Sequence, residues 1–178
     1  KSGEFKDQGS WSRSLKPETI ERFGLGYVPD GWSNLADAAL GKKFSRDVLE
    51  ASGIVKQGQR GPYDLFRNRL IFPIHDVTGR VVAFGGRALG DDGPKYINSP
   101  ESPVYHKSRV LYGLYEARQA LRTEKRAILV EGYFDLLRCF DAGVENVVAT
   151  CGTALTDEQA NLIHRYARDV VVVYDGDP

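Results

Sequence analysis

Residues 127–177 read AILVEGYFDLLRCFDAGVENVVATCGTALTDEQANLIHRYARDVVVVYDGD, and the fold is decided in this stretch. AILVE, GYFDLLRCFDAG, NVVAT, TDEQANLIHRYA and DVVVVYDGD alternate as strand, helix, strand, helix, strand. Such a rhythm predicts a parallel sheet with crossover helices. The continuous apolar runs AILV and VVVVY are suited to the middle of that sheet, where both faces are covered. Thr156 followed by Gln159 is a capping box and predicts the start of the second helix.

Two acidic groups fall at the ends of those strands. Glu131 lies just past AILV, Gly132 permits a sharp turn, and Asp135 comes one helical turn later, so both carboxylates can face one point. Asp175 and Asp177 follow VVVVY, and a spacing of two in extended chain sends both side chains to one face. In a parallel sheet the two strands end at the same edge, where ligands of such folds bind. Four carboxylates gathered there repel one another unless cations lie between them, and carboxylates with water are the ligand set that Mg²⁺ or Mn²⁺ prefers. Paired divalent ions can activate a hydroxyl and neutralise charge on a phosphate, which places the chemistry on phosphodiesters or nucleotides. Taken singly, each motif favours the plainer account, with Glu131 a helix cap, Asp135 a solvated helix residue and DGD a turn; the two groups together favour the metal reading.

Upstream, the first sixty residues read as short helices, with Pro17 opening PETIERF and apolar spacing in SNLADAAL and SRDVLEASGI. Residues 67–90 hold two β-rich runs around Asp76, Thr78 and Gly79, which is a hairpin signal. DDGPKYINSPESP is expected to be a long loop and LYEARQALR a helix. Asn98 and Ser99 are expected to shape that loop, and Tyr112 and Tyr115 to pack at the start of the helix. Arg87 follows Gly85 and Gly86, whose missing side chains would let a phosphate approach the backbone. Lys95 and Tyr96 occupy a loop, where a lysine can neutralise a phosphate and an aromatic can stack a base. On chemistry alone Lys95 and Lys107 read as solubilising lysines, and Arg87 is balanced between that and a phosphate contact.

The 178 residues are 42% hydrophobic, 27% charged and 11% aromatic, the composition of a globular protein rather than a disordered or fibrous one. No apolar run approaches the roughly 20 residues of a membrane helix, and the polar start has no signal-peptide core, so the expected location is cytoplasmic. Cys139 and Cys151 form no CxxC pair and read as small hydrophobes, while His75, His106 and His164 lie too far apart for a zinc signature. The net charge of zero divides, since residues 1–125 carry 20 Lys and Arg against 15 Asp and Glu, and residues 126–178 carry 4 against 9. A basic part beside an acidic part suits a polyanion track leading to a metal site.

EGYFD followed about forty residues later by DGD resembles the Toprim domain, shared by bacterial primases, topoisomerases and certain nucleases. FRNRLIFPIHDVTGRVVAFGGRAL, PKYINSPES and VYHKSRVLYGLYEA are very similar to successive signatures of DnaG-type bacterial primases, and the resemblance extends to ETIERFGLGYVPDGW and GTALT. It implies an α/β protein of two parts: a basic, mixed α+β N-terminal subdomain over residues 1–125 and a Rossmann-like Toprim subdomain over 126–178 that is incomplete at its C-terminus. The chain is then expected to be a piece of a longer enzyme, without the third acidic segment, the zinc-binding region and the helicase-binding region of the family.

The resemblance further implies that Glu131 is the most critical carboxylate and that Asp135, Asp175 and Asp177 hold catalytic Mg²⁺ or Mn²⁺. Arg87, Lys95 and Lys107 fall on the family's surface for template DNA and nucleotide phosphates, with Tyr96 beside them. Arg13 matches the arginine of a family RGL segment, although Ser14 replaces its glycine. The implied activity is synthesis of short RNA primers on single-stranded DNA from ribonucleoside triphosphates, in company with a replicative helicase. The rival readings are a Toprim nuclease or topoisomerase, and a non-catalytic module that binds metal and single-stranded DNA.

Overall fold

The computed structural model describes residues 15–90, 93–150, 152 and 154–176; Arg13, Cys151 and Asp177 lie outside them. The chain opens with helix α1 (Pro17–Arg22), started by its proline, and strand β1 (Gly26–Val28). A small lobe follows, made of helices α2 (Asn34–Gly41) and α3 (Arg46–Ser52) and the hairpin of β2 (Val55–Gly58) with β3 (Gly61–Asp64). Its core is Ala36, Ala39, Leu49 and Val55. The lobe is locked by Asp64, only 1% exposed, whose carboxylate accepts hydrogen bonds from the backbone N–H groups of Leu35 (2.7 Å) and Ala36 (2.9 Å) at the start of α2. A buried carboxylate is tolerated there because it satisfies helix N-terminal donors that otherwise lack partners.

Strands β4 (Arg69–His75) and β5 (Val81–Ala88) form the expected hairpin, and β6 (Tyr96–Asn98) pairs with β5, giving an antiparallel sheet in the order β1-β4-β5-β6. The hairpin turn is tied by Asp76. Its carboxylate accepts from the Thr78 N–H (2.8 Å) and hydroxyl (2.6 Å), the Arg80 N–H (3.1 Å) and Arg80 Nε (2.8 Å). Burial pushes this carboxyl group up, but the bonds outweigh it and hold the group far below the usual carboxylate range. The segment expected as a long loop is thus partly a strand. Residues 96–98 pair with 85–87, and Ser99 closes the pairing through Phe84, donating from its N–H (2.8 Å) and accepting at its hydroxyl (3.0 Å).

After a 3₁₀ turn at Lys107–Arg109 comes α4 (Leu114–Glu124), then β7 (Arg126–Val130), α5 (Tyr133–Asp141), β8 (Val147–Ala149), α6 (Asp157–His164) and β9 (Asp169–Val173). The alternation read from the sequence is present, with parallel pairing in the order β8-β7-β9. The capping box also forms: the Thr156 hydroxyl accepts from the Gln159 N–H and Gln159 Oε1 accepts from the Thr156 N–H, both at 3.1 Å. Gln159 Nε2 additionally donates to the carbonyls of Lys107 and Val110, each at 2.9 Å, so the start of α6 fixes the 107–110 turn.

AILV is the central strand, as expected, and among the described residues VVVVY pairs on one side with β7, with Val170, Val171, Val172 and Val173 44 to 55% exposed. A continuous apolar run signals cover on both faces; among the described residues β9 has β7 on one side only.

The two halves share one core. Phe72 of β4 stacks on Tyr133 (centroids 4.5 Å apart) and meets Phe134 (5.5 Å) and Tyr112 (6.4 Å) edge-on. Each such ring contributes about 2 kcal/mol or more by burial alone. Tyr112, as expected, packs: it is 3% exposed and exchanges backbone hydrogen bonds with Ala149 beside β8. On the far side, Lys16 and Thr19 bond to Asp141 at the end of α5, and Arg22 reaches Glu145 (2.6 Å) and the Glu116 carbonyl (3.0 Å).

The hairpin is also joined to α4 by His75 Nδ1 and Glu116 Oε1, 2.7 Å apart, with both side chains largely buried. The Glu116 carboxylate raises the His75 pKa against the opposing effect of burial, with Asp76 adding to the rise. A raised folded-state pKa means stability that is complete below the unfolded value of about 6.5 and lost as pH climbs through the folded value. Urea denaturation of the parent and of His75→Gln is therefore expected to show a difference at pH 6 that shrinks toward pH 9. A difference independent of pH would refute the charged pair.

Candidate active site

The candidate carboxylates among the described residues stand where the parallel sheet ends. Val130 is level with Ala149 on one side and Val173 on the other, so Glu131 and Asp175 emerge at the same edge, from the central strand β7 and its neighbour β9. Both are exposed, as is Asp135. Helix α5 begins at once after Gly132, and Asp135 Oδ2 accepts from the Gly132 N–H at 2.9 Å. One of the two oxygens expected on metal thus caps the helix, the role that the sequence offered to Glu131. Among the described residues no three carboxylate, His or Cys side chains stand close enough to hold a metal ion. The compact cluster expected from the sequence is therefore not formed by Glu131, Asp135 and Asp175, and Asp177 lies outside the described residues. The three remain hard oxygen donors at one sheet edge, a donor chemistry suited to Mg²⁺ or Mn²⁺.

Cys139, one turn further along α5, is half-buried, and burial together with nearby Asp135 pushes its thiol up. It behaves as the small hydrophobe read from the sequence.

The basic residues approach the same edge from the antiparallel sheet. Arg87 and Tyr96 face each other in the β5–β6 register. The Arg87 guanidinium lies 6.0 Å from the Tyr96 ring centroid and 5.4 Å from that of Phe134, which belongs to EGYFD itself. Tyr96 stacks on Tyr133 (6.2 Å), and the Tyr133 hydroxyl donates to Asn98 Oδ1 at 2.8 Å. Asn98 thus shapes the loop, as expected, by tying it to the acidic motif. Lys95 is exposed beside them, and Lys107 lines a cleft with Asn98, Tyr112 and Thr150 between the two sheets.

One reading changes here. Gly85 and Gly86 do not make room for a phosphate: a Cβ on Gly85 would meet the Tyr133 ring at 2.4 Å, and one on Gly86 the Phe66 ring at 2.5 Å. Their space is taken by packed side chains. Arg69 has a place here that its local sequence does not announce. It is 7% exposed, and its Nη1 donates to the carbonyls of Gly86 (3.2 Å) and Pro94 (3.0 Å), securing the loop that carries Lys95. Burial, and then the neighbouring Arg67, lower its pKa. An arginine entering an apolar strand in RNRLIF was the available signal.

Among the described residues no helix is long and apolar enough to cross a membrane. The family model for the DNA primase catalytic core, N-terminal domain, matches residues 10–118, and that for the Toprim domain matches 125–178. The DNA primase of Halalkalibacterium halodurans is 47% identical over 167 residues, spanning 93% of this chain and 28% of that protein. The DNA primase of Escherichia coli K12 is 43% identical, with 93% of this chain and 29% of that protein covered. The chain thus spans less than a third of the length of these curated relatives. Among solved structures, the RNA polymerase domain of Mycobacterium tuberculosis primase DnaG superposes with a TM-score of 0.86 at 38% identity, over 92% of this chain and 56% of that one. A DnaG primase catalytic domain bound to single-stranded DNA gives 0.85 at 43% identity, over 92% and 51%. With the family model matched over more than half its length and continued by a Toprim sheet, this chain belongs to the DnaG-type DNA primase catalytic-core family.

Proposed function

We propose that this chain is the part of a bacterial primase that joins ribonucleotides on a single-stranded DNA template, with the boundary between its basic and Toprim parts near residue 125. The observation that supports the reading is the Arg87 guanidinium 5.4 Å from the ring of Phe134, which lies between Glu131 and Asp135 in the EGYFD motif. The single-stranded DNA in the related catalytic domain supports DNA as the template. Arg87, Lys95 and Lys107 neutralise phosphates of template and incoming ribonucleoside triphosphate, and Tyr96 offers a face to a base. Arg13 joins them on the strength of the resemblance. Glu131, Asp135, Asp175 and Asp177 would hold the divalent cations, Mg²⁺ or Mn²⁺, whose chemistry there would be to activate the primer 3′-hydroxyl and to offset charge on the transferred phosphate and the departing pyrophosphate. The cytoplasm, a growing RNA primer and a replicative helicase are the corresponding setting and partners.

The test is incorporation of labelled ribonucleotide on single-stranded DNA with Mg²⁺ or Mn²⁺. It uses this chain and a chimaera continuing it with the remainder of the Halalkalibacterium halodurans primase. Template-dependent RNA from the chimaera is expected. DNA strand breaks instead of RNA would favour a Toprim nuclease, and DNA binding with neither would favour a binding module.

A further inference from the structure

Lys107 sits on a single 3₁₀ turn in the irregular stretch between β6 and α4, yet the backbone of that turn is tied from two directions. The Lys107 N–H donates to Glu101 Oε1 at 2.8 Å, and the other Glu101 oxygen lies 3.0 Å from His106 Nδ1. The Lys107 carbonyl accepts from Gln159 Nε2 at 2.9 Å, across 52 residues of chain. Gln159 Nε2 also donates to the Val110 carbonyl (2.9 Å), and the Thr156 hydroxyl donates to that of Ser108 (2.6 Å). Tyr105, 5% exposed, anchors the same loop in the main core. The peptide groups on both sides of the Lys107 Cα are therefore fixed, one by the loop itself and one by the Toprim helix α6.

The identity of residue 159 points to a purpose beyond the helix. A capping box asks for one acceptor at this position, and Glu supplies it as well as Gln. Gln159 meets that need with Oε1, which accepts from the Thr156 N–H. Its two amide protons remain, and both go to the carbonyls of Lys107 and Val110. The side chain is 0% exposed and every polar atom in it has a partner. A glutamate would cap α6 but would set an oxygen against two carbonyls. Glutamine is thus required by the turn it grips, and that turn carries a lysine lining the cleft beside Asn98, which is bonded to Tyr133 of EGYFD. A lysine is a flexible stem with a point charge at its end, so where its charge can meet a phosphate depends on where the stem is rooted.

We infer that Glu101 and Gln159 are positioning residues for Lys107: by fixing the peptide groups on either side of it, they aim its ammonium group at the phosphates of the incoming ribonucleoside triphosphate. The inference rests on the reading of Lys107 given above and adds what holds it in place.

The test is ribonucleotide incorporation by the chimaera, resolved into KM and kcat for the ribonucleoside triphosphate. Lys107→Ala is expected to raise KM about thirtyfold. Gln159→Glu, Gln159→Met and Glu101→Ala each raise it about fivefold, with kcat within about twofold of the parent. Glu101→Gln, which keeps an oxygen for the Lys107 N–H, recovers most of that loss. In the Lys107→Ala background none of these substitutions raises KM further. Glu101 is exposed, so its variants keep the fold and decide the matter if thermal unfolding shows that the Gln159 variants do not. A parent-like KM in Glu101→Ala or in a folded Gln159 variant overturns the inference. So does Glu101→Gln no better than Glu101→Ala, or a rise of the same size once Lys107 is gone. A parent-like KM in Lys107→Ala overturns the phosphate reading of Lys107 and the inference with it, and a chimaera without synthesis overturns both.

Discussion

Glu131→Gln is expected to lower ribonucleotide incorporation by about a thousandfold while leaving the fold unchanged. The side chain is exposed at the end of β7, the central strand of the parallel sheet, so an amide of the same shape loses no packing. Stability should stay within about 0.5 kcal/mol of the parent. What is lost is one negative charge at the point where the strand ends, whether that charge holds a cation or accepts a proton from the attacking hydroxyl. Asp135 gives no such clean test. Its Oδ2 also accepts from the Gly132 N–H at the start of α5, so Asp135→Asn disturbs the helix as well as the charge. The measurement is template-directed synthesis by the chimaera, paired with its thermal unfolding. An unaltered rate with Glu131→Gln would remove Glu131 from the reaction and leave Asp175 as the described candidate for that role at that edge.

Much of this architecture was legible because its signals are local. The β7-α5-β8-α6-β9 alternation, the Thr156–Gln159 capping box and the Asp76 turn each lie within a few residues of their partners in sequence. What escaped depends on contacts distant in the chain. The order β8-β7-β9, with β7 between the other two, is set by contacts distant in the chain that no local pattern records. PKYINSPES reads as a loop because its three-residue strand exists only by pairing with β5. The task of Arg69, holding the Pro94 carbonyl, joins residues 25 apart and leaves no local pattern. The site was legible as residues but not as geometry. Glu131, Asp135, Arg87 and Tyr96 are named by motif, whereas the meeting of Arg87 with Phe134 is a property of the packed core.

Gly85→Ala is expected to destabilise the protein by about 3 kcal/mol, an overpacking cost at the top of the usual range. The reason lies across the chain. The new Cβ would stand 2.4 Å from both Cζ and Oη of Tyr133, and that ring has nowhere to go. It is 3% exposed, stacked on Phe72, edge-on to Tyr112 at 4.7 Å and hydrogen-bonded to Asn98. Relief must come from β5 moving away, which separates Arg87 from Phe134, or from Tyr133 leaving the core, which shifts the first turn of α5 between Glu131 and Asp135. Either route couples stability to activity, so the variant should melt lower by roughly 6–12 °C and lose synthesis even where it remains folded. The contact is isolated by a double-mutant cycle. Tyr133→Ala alone leaves a cavity costing about 3–5 kcal/mol, but once the ring is gone the added methyl group meets open space and its own cost should nearly vanish. An equal penalty for Gly85→Ala in both backgrounds would place the strain in the β5 backbone and refute the glycine's role as the seat of Tyr133.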